Sequence, residues 1–328
     1  MANYKDIKGF NVQNIDGDPP NPIVGDMYYN TAAGQFKVVK AGGAPIGAWA
    51  SGGSLTTART GLSGSGTQTA ALGAGGYTTT TVNNVETYNG TAWTEITEIN
   101  TSRRNQGQTG STTAAIIFGG REPTLSNKTE SWNGTSWTEV NELNTATRQM
   151  GNFGSSTAAL CVNGVPYPTA AVQSWNGASW TEIGENSTVR QTMAASNASP
   201  STDAVIFGGA NPSITGATET YNGSSWSEVS ELNTARDNLG GAGSSKSNAL
   251  AFAGESAAPA VVALTESWNG SSWTEVADLA TAKTQTAGAG ASSLSALNFG
   301  GHAGPPTNLS STEAWTAADY SIKTMTTS

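Results

Sequence analysis

The chain has 328 residues, a net charge of −9, and 12% charged against 36% hydrophobic side chains. Its 40 glycines, 36 serines and 45 threonines argue against a helical protein and for many short strands joined by tight turns. The charge balance shows no basic patch, so no nucleic-acid partner is expected.

Cys161 is the one cysteine and allows no internal disulfide. The one histidine, His302, excludes zinc sites built from several His or Cys ligands and weakens any Ser-His-Asp arrangement. No apolar run approaches the ~20 residues of a spanning helix, and no secretory segment follows residues 1–6. A chain without membrane insertion, metal or cofactor is expected.

Residues 1–47 form the first predicted region. They contain no serine, four of the eight lysines and four of the twelve prolines. Residues 16–22, rich in Asp, Gly and Pro, read as an extended linker. The runs 24–31 and 35–39 read as a hairpin, with Tyr28, Tyr29, Phe36, Val38 and Val39 as its apolar set. A lone hairpin is marginally stable in water, so this set needs a partner surface, either another protein or the remainder of the chain. The expected division is therefore an attachment arm, 1–47, and a main domain, 48–328.

The main domain is a repeat. Segments 85–97, 129–141, 172–184, 218–230 and 265–277 read VETYNGTAWTEIT, TESWNGTSWTEVN, VQSWNGASWTEIG, TETYNGSSWSEVS and TESWNGSSWTEVA, and 312–324 is a degenerate sixth copy. The first aromatic recurs at Tyr88, Trp132, Trp175, Tyr221, Trp268 and Trp315, and the second at Trp93, Trp137, Trp180, Trp226, Trp273 and Tyr320. Trp49 is an extra, earlier copy of the second type. Two alternating runs around Asn-Gly predict a hairpin, because both residues tolerate the positive φ of a tight turn. A Leu-Asn-Thr-Ala-Arg linker, a Gly/Ser-rich run and an apolar strand ending in a glycine pair complete each unit. Four strands per unit, six times over, is the arithmetic of a β-propeller. Seven blades stay open, with 36–39 and 49–51 as a seventh copy. Both the Trp49 strand and 320–325 are candidates for the outer position of the closing blade.

Two sets of charges recur. The linker cation is Arg59, Arg103, Arg190, Arg236 or Lys283, and the carboxylate two residues before the first aromatic is Glu86, Glu130, Glu219, Glu266 or Glu313. The third unit lacks both, with Thr147 in the cation's register, Arg148 one residue late, and Gln173 for the glutamate. A cation and a carboxylate lost together predict one partly buried salt bridge per blade rather than a ligand-binding ring. Glu95, Glu139, Glu182, Glu228 and Glu275 on the outer strands read as a solvated rim that discourages edge-to-edge pairing. The sequons at Asn89, Asn133, Asn222 and Asn269 follow from turn chemistry, and the glycine-rich runs lack the helix of a phosphate-binding loop. The segments after each glycine pair vary in sequence and length, which is where recognition usually sits. Tyr77, Arg121, Glu122, Tyr167, Asn211 and His302 are the side chains there best suited to a polar or sugar ligand.

An arginine, an apolar strand closing in Gly-Gly, a Tyr/Trp and a later Trp, in that order, resemble the kelch motif of β-propellers over roughly 48–328. The WNG-x-x-WTE units, the LNTAR linkers and the short N-terminal segment are similar to kelch-like virion proteins of tailed bacteriophages, notably those of marine cyanobacteria. The run Gly-Asp-x-Tyr-Tyr-Asn-Thr followed by Phe-Lys-Val resembles hairpins near the N-termini of phage fibre proteins. The resemblance implies an all-β, six-bladed, non-enzymatic tail or fibre component, assembled in the host cytoplasm and located in the virion. It further implies an arm that docks onto other virion proteins, with a host-surface glycan or protein, or a second copy of the chain, as further partners. A carbohydrate-binding lectin and a capsid or neck decoration protein without a receptor role are the alternatives. Kelch-type copper oxidases need several histidines and a cysteine cross-link, which one histidine and one cysteine do not supply.

Overall fold

The computed structural model describes residues 13–18, 26–42, 47–166, 171–257, 260–304, 307–317 and 319–324, and among them every regular element is a strand. The chain divides into two compact units: Met1–Ala48 with Ala317–Ser328, and Trp49–Thr316. The larger unit is β-propeller-like and holds six four-stranded sheets.

The first sheet is Ser63–Thr67, Ala70–Ala74, Val85–Tyr88 and Trp93–Ile96; the second is Gly107–Gly110, Ala115–Phe118, Thr129–Trp132 and Trp137–Val140. The third is Gly151–Gly154, Ala159–Val162, Ala171–Trp175 and Trp180–Glu185; the fourth is Ala194–Ala195, Ala204–Phe207, Thr218–Tyr221 and Trp226–Val229. The fifth is Gly240–Ser245, Asn248–Phe252, Thr265–Trp268 and Trp273–Glu275. The sixth takes Ala287–Ser292, Ser295–Phe299 and Thr312–Thr316 from the end of the chain and Ala48–Ser51 from its beginning.

Each sheet's second strand is its apolar centre; Ala115, Ile116, Ile117 and Phe118 are fully buried. The first strands are glycine-rich where the phenylalanine of the neighbouring second strand leaves no room for a side chain. A Cβ at Gly107 or Gly240 would overlap the ring of Phe118 or Phe252 respectively. These first strands touch in cyclic order, each sheet's against the next, and the sixth sheet's against the first sheet's.

The Asn-Gly hairpins form by a different device from the tight turn that the sequence predicts. The loop has four residues, and the Asn side chain holds it: Asn89 Oδ1 accepts from the amides of Thr91 and Ala92, at 3.0 and 2.9 Å. Only the glycine takes positive φ, 92° at Gly90. The same bonds recur at Asn133, Asn176, Asn222 and Asn269. The loop brings the two aromatics together, with ring centroids 4.8–5.5 Å apart in the first five units.

In the sixth sheet the partner of Trp315 is Trp49, at 5.6 Å. Its indole N–H donates to Thr265 Oγ1 of the fifth sheet at 3.0 Å. Trp93, Trp180 and Trp273 each donate likewise to a threonine of the preceding sheet's third strand, and for Trp93 that is Thr312 of the sixth sheet. The Trp49 strand is thus the edge strand of the sixth sheet, beside Thr312–Thr316.

Six residues complete a backbone cycle. Asn105, Gln149, Thr192, Asn238 and Gln285 each donate an amide to the carbonyl of the preceding member, and Gly61 donates to Gln285, at 2.8–3.0 Å. All six have φ between 49° and 59°, the left-handed region that a β-branched residue such as Thr192 rarely enters.

The smaller unit departs from the expected lone hairpin and from the expected boundaries. Met27–Asn30 and Gln35–Gly42 pair as predicted, Gln13–Ile15 adds in parallel, and the C-terminal strand Asp319–Thr324 pairs antiparallel with Gln35–Gly42. A four-stranded sheet replaces the marginal hairpin, and residues 317–328 belong with the arm rather than with the main domain. The run 36–39 pairs within this sheet, whereas Trp49 belongs to the sixth sheet of the larger unit.

The apolar set of the arm is also split by strand alternation. Tyr29 and Phe36 stack edge-on at 5.0 Å, with Met27 and Val38 paired beside them in the same register. Tyr28 points the other way, is 2% exposed, and donates its hydroxyl to Asp18 at 2.7 Å. Burial first, then the Asp18 carboxylate, pushes the Tyr28 phenol up to about 12. Of Val39 only the backbone is described, paired with Ile322.

Candidate functional site: the loop face

The recurring cations and carboxylates meet inside the sheets. Arg59 reaches Glu86 at 2.5 Å, Arg103 Glu130 at 2.5 Å, Arg190 Glu219 at 2.6 Å, Arg236 Glu266 at 2.9 Å and Lys283 Glu313 at 3.1 Å. All ten side chains are buried. Burial lowers the affinity of each cation for its proton, and its glutamate opposes the shift. The second carboxylate oxygen accepts a linker amide, from Thr56, Asn100, Ser187, Asn233 or Ala280, each at 2.7 Å.

The third unit keeps that last bond without the charge. Gln173 Oε1 accepts from the Asn144 amide at 2.8 Å, and Thr147 donates to the Asn163 carbonyl at 3.1 Å. The pairs are thus linker anchors, shielded from any ligand. The outer-strand glutamates lie opposite them in register and are exposed, Glu139 reaching Lys128 at 2.7 Å.

A different surface is built where linker and variable loop meet. The residue after each cation position forms a two-residue bridge with the residue after the glycine pair. The bridges are Thr60 with Tyr77, Arg104 with Arg121, Arg148 with Val165, Gln191 with Ala210, Asp237 with Glu255, and Thr284 with His302. The linker member of each directly precedes a member of the backbone cycle, so all six bridges surround one opening. The six cycle members line a pocket of about 90 Å³, which shares Gln106 and Thr286 among its lining with a cavity of about 130 Å³ that Ser63, Gln108 and Asn152 also line. Gln106 Oε1 and Asn197 Oδ1, both lining residues, are buried there without a protein partner.

The backbone repeats around this opening and the side chains do not. The second unit carries two arginines where the fifth carries two carboxylates. Arg104 lies 4.3 Å from the centre of the Tyr77 ring, and Arg121 Nε donates to the Pro123 carbonyl at 3.0 Å. Arg148, half-buried, has its guanidinium pushed down by burial and by Arg121 and Arg104. Across the opening, burial and the neighbouring Glu255 push Asp237 up to about 6.

Of the residues singled out in the sequence, Tyr77 and Arg121 belong to one cluster, joined through Arg104, with Glu122 exposed beside it. Asn211 and His302 stand in other units and serve their own loops. Asn211 Nδ2 donates to the Val189 carbonyl at 2.6 Å, and His302 Nδ1 accepts from the Gly304 amide at 3.1 Å. Burial lowers the His302 pKa, with Glu255 opposing. Tyr167 lies outside the described residues. Arg104 and Arg148 escape a sequence reading centred on the buried cation. Their signal is the position just after it, where Thr, Arg, Arg, Gln, Asp and Thr differ in charge while the flanking pattern holds.

Among the described residues there is no group of three or more His, Cys, Asp or Glu side chains arranged to hold a metal ion, and no helix long and apolar enough to cross a membrane. Cys161 is buried, which raises its thiol pKa and leaves it a core side chain. No family model and no curated protein matches the chain.

Proposed function

We propose that the chain is a non-enzymatic virion protein of a tailed bacteriophage, a tail or fibre component whose loop face contacts the host surface. In this reading the larger unit is a six-bladed kelch-like propeller closed by Ala48–Ser51. The backbone cycle from Gly61 to Gln285 and the pairing of Trp49 with Trp315 support six blades closed in that way. The smaller unit docks onto another virion subunit through its Met27, Tyr29, Phe36 and Val38 face. Met27 and Phe36 are 51% and 46% exposed, large values for apolar side chains.

The observation that carries the recognition role is the contrast at the opening: one backbone bridge repeated six times, with six different side-chain pairs. A scaffold under packing constraint alone has no need of an arginine pair in one unit and a carboxylate pair in another. The virion assignment rests on the likeness of the WNG-x-x-WTE and LNTAR repeats to phage kelch-like proteins.

Purified protein is expected to block adsorption of the particles to their host cells in a dose-dependent way. A Tyr77→Ser/Arg121→Ser/His302→Ser variant is expected to lose at least tenfold in blocking potency while unfolding at the same denaturant concentration. Equal blocking by the variant, or none by the wild type, contradicts a recognition role for this face.

A further inference from the structure

We propose that Arg104, Arg121 and Arg148 form a binding site for the oxyanions of a charged surface polysaccharide. The inference deepens the host-recognition reading and rests on it for the ligand's source.

The argument begins with cost. Arg104 and Arg121 exchange backbone hydrogen bonds at 3.3 and 3.0 Å, so they stand directly opposite each other on neighbouring segments. Like charges in that relation destabilise a pair of strands. Arg148 of the next unit adds a third cation, because the Gln149 amide that follows it bonds the Asn105 carbonyl that follows Arg104. Among the described residues no carboxylate forms an ion pair with any of the three.

Nothing in the scaffold demands these charges. Gln191 with Ala210 and Thr284 with His302 form the same bridge without an arginine. Every buried cation at the linker position, by contrast, has its glutamate.

The three guanidiniums are also held for use. Arg121 spends Nε on the Pro123 carbonyl, which fixes the plane of an exposed side chain whose two terminal nitrogens form no hydrogen bond or ion pair among the described residues. Arg104 is supported by the Tyr77 ring. Guanidinium planes bind carboxylate, sulfate and phosphate by paired N–H donors, with geometric selectivity that an ammonium lacks. Half-burial of Arg148, beside two like charges, marks the group that gains most from an incoming anion. Asp237 and Glu255, at the corresponding positions of the fifth unit, repel the same anion and confine it to the arginine side.

The test is binding of the full chain to immobilised oligogalacturonate, dextran sulfate and neutral dextran, with inorganic phosphate as competitor. Binding to one or both charged polymers and not to neutral dextran is expected. The preferred polymer identifies carboxylate or sulfate, and displacement by millimolar phosphate identifies a phosphate-accepting site. Arg104→Gln/Arg121→Gln/Arg148→Gln should weaken binding at least tenfold at an unchanged unfolding midpoint, whereas Asp237→Asn/Glu255→Gln should not weaken it. Equal binding by the arginine variant, or no binding to any charged probe, overturns the proposal. So does a wild-type dimer that dissociates in both variants, because the arginines are then occupied by the carboxylates of a second copy. Loss of charged-polymer binding in a protein that still blocks adsorption removes this inference and leaves the recognition reading intact. Retained charged-polymer binding in a protein that never blocks adsorption does the reverse.

Discussion

Arg236→Ala is expected to destabilise the larger unit by about 3–5 kcal/mol, because it leaves a buried carboxylate without its cation. The Arg236 guanidinium is fully buried, lies 2.9 Å from Glu266, and donates to the carbonyls of Ala253 and Leu264 at 3.0 and 2.8 Å. Removing it therefore leaves one buried charge unpaired and takes a donor from two carbonyl oxygens, of which Leu264 keeps its bond from the Ala253 amide. The third repeat supplies the control, since Thr147 and Gln173 fill the same positions without charge. Adding Glu266→Gln to Arg236→Thr should recover most of what Arg236→Thr alone loses, because a glutamine oxygen still accepts the Asn233 amide. In the reverse direction, Gln173→Glu should destabilise at neutral pH by burying a carboxylate that has no cation in register. Denaturant midpoints of the five proteins measure these effects, and a neutral Arg236→Ala would mean that the pair does not anchor the linker.

The second large effect concerns the strand that the sixth sheet takes from the beginning of the chain. Deleting residues 1–47 is expected to leave the larger unit folded, because Trp49–Ser51 stays with the sixth sheet. Deleting residues 1–51 removes the strand that supplies Trp49. That ring packs against Trp315 at 5.6 Å and Phe252 at 5.2 Å, and Gly52 beyond it bonds the Thr312 carbonyl at 2.9 Å. Loss of a large aromatic from a packed site costs roughly 3–5 kcal/mol. The bared Thr312–Thr316 strand also becomes an edge open to pairing with other chains. The longer deletion should therefore unfold earlier by that amount and aggregate, with the shorter one as reference. Equal stability of the two proteins would place the junction elsewhere.

Much of this architecture is legible in the residues, for identifiable reasons. The aromatic pair recurs because each hairpin must cover its sheet with two rings, so Tyr88/Trp93 and its counterparts announce the units. Joint loss of cation and carboxylate in the third unit points to contact, because neither charge is tolerable in the core without the other. Other features leave weaker traces. The Asn of each hairpin works through its side-chain oxygen, which composition does not distinguish from a backbone role. The left-handed cycle uses Gly, Asn, Gln and Thr, so no single residue type marks it; backbone bonds hold Thr192 there against its own preference. The sequence offers 320–325 only as an outer blade strand, because Tyr320 stands where the second aromatic recurs, and nothing in the residues marks the pairing of Asp319–Thr324 with Gln35–Gly42. Arg104 stands beside Arg103 in the sequence, yet one is sealed against Glu130 and the other faces the opening. The repeat register marks Arg103 as the buried member, and only the fold shows what its neighbour meets.

In the proposed function this chain belongs to a particle, is held by its smaller unit and meets the host through the loop face. The most direct test is an electron-microscope image of particles carrying a gold-labelled tag at Lys246, an exposed position in the fifth sheet's first hairpin. Label on the tail or its fibres, lost when residues 1–47 are deleted, is the predicted result. Particles that carry no label, that carry it only on the capsid, or that keep it after the deletion would contradict the account.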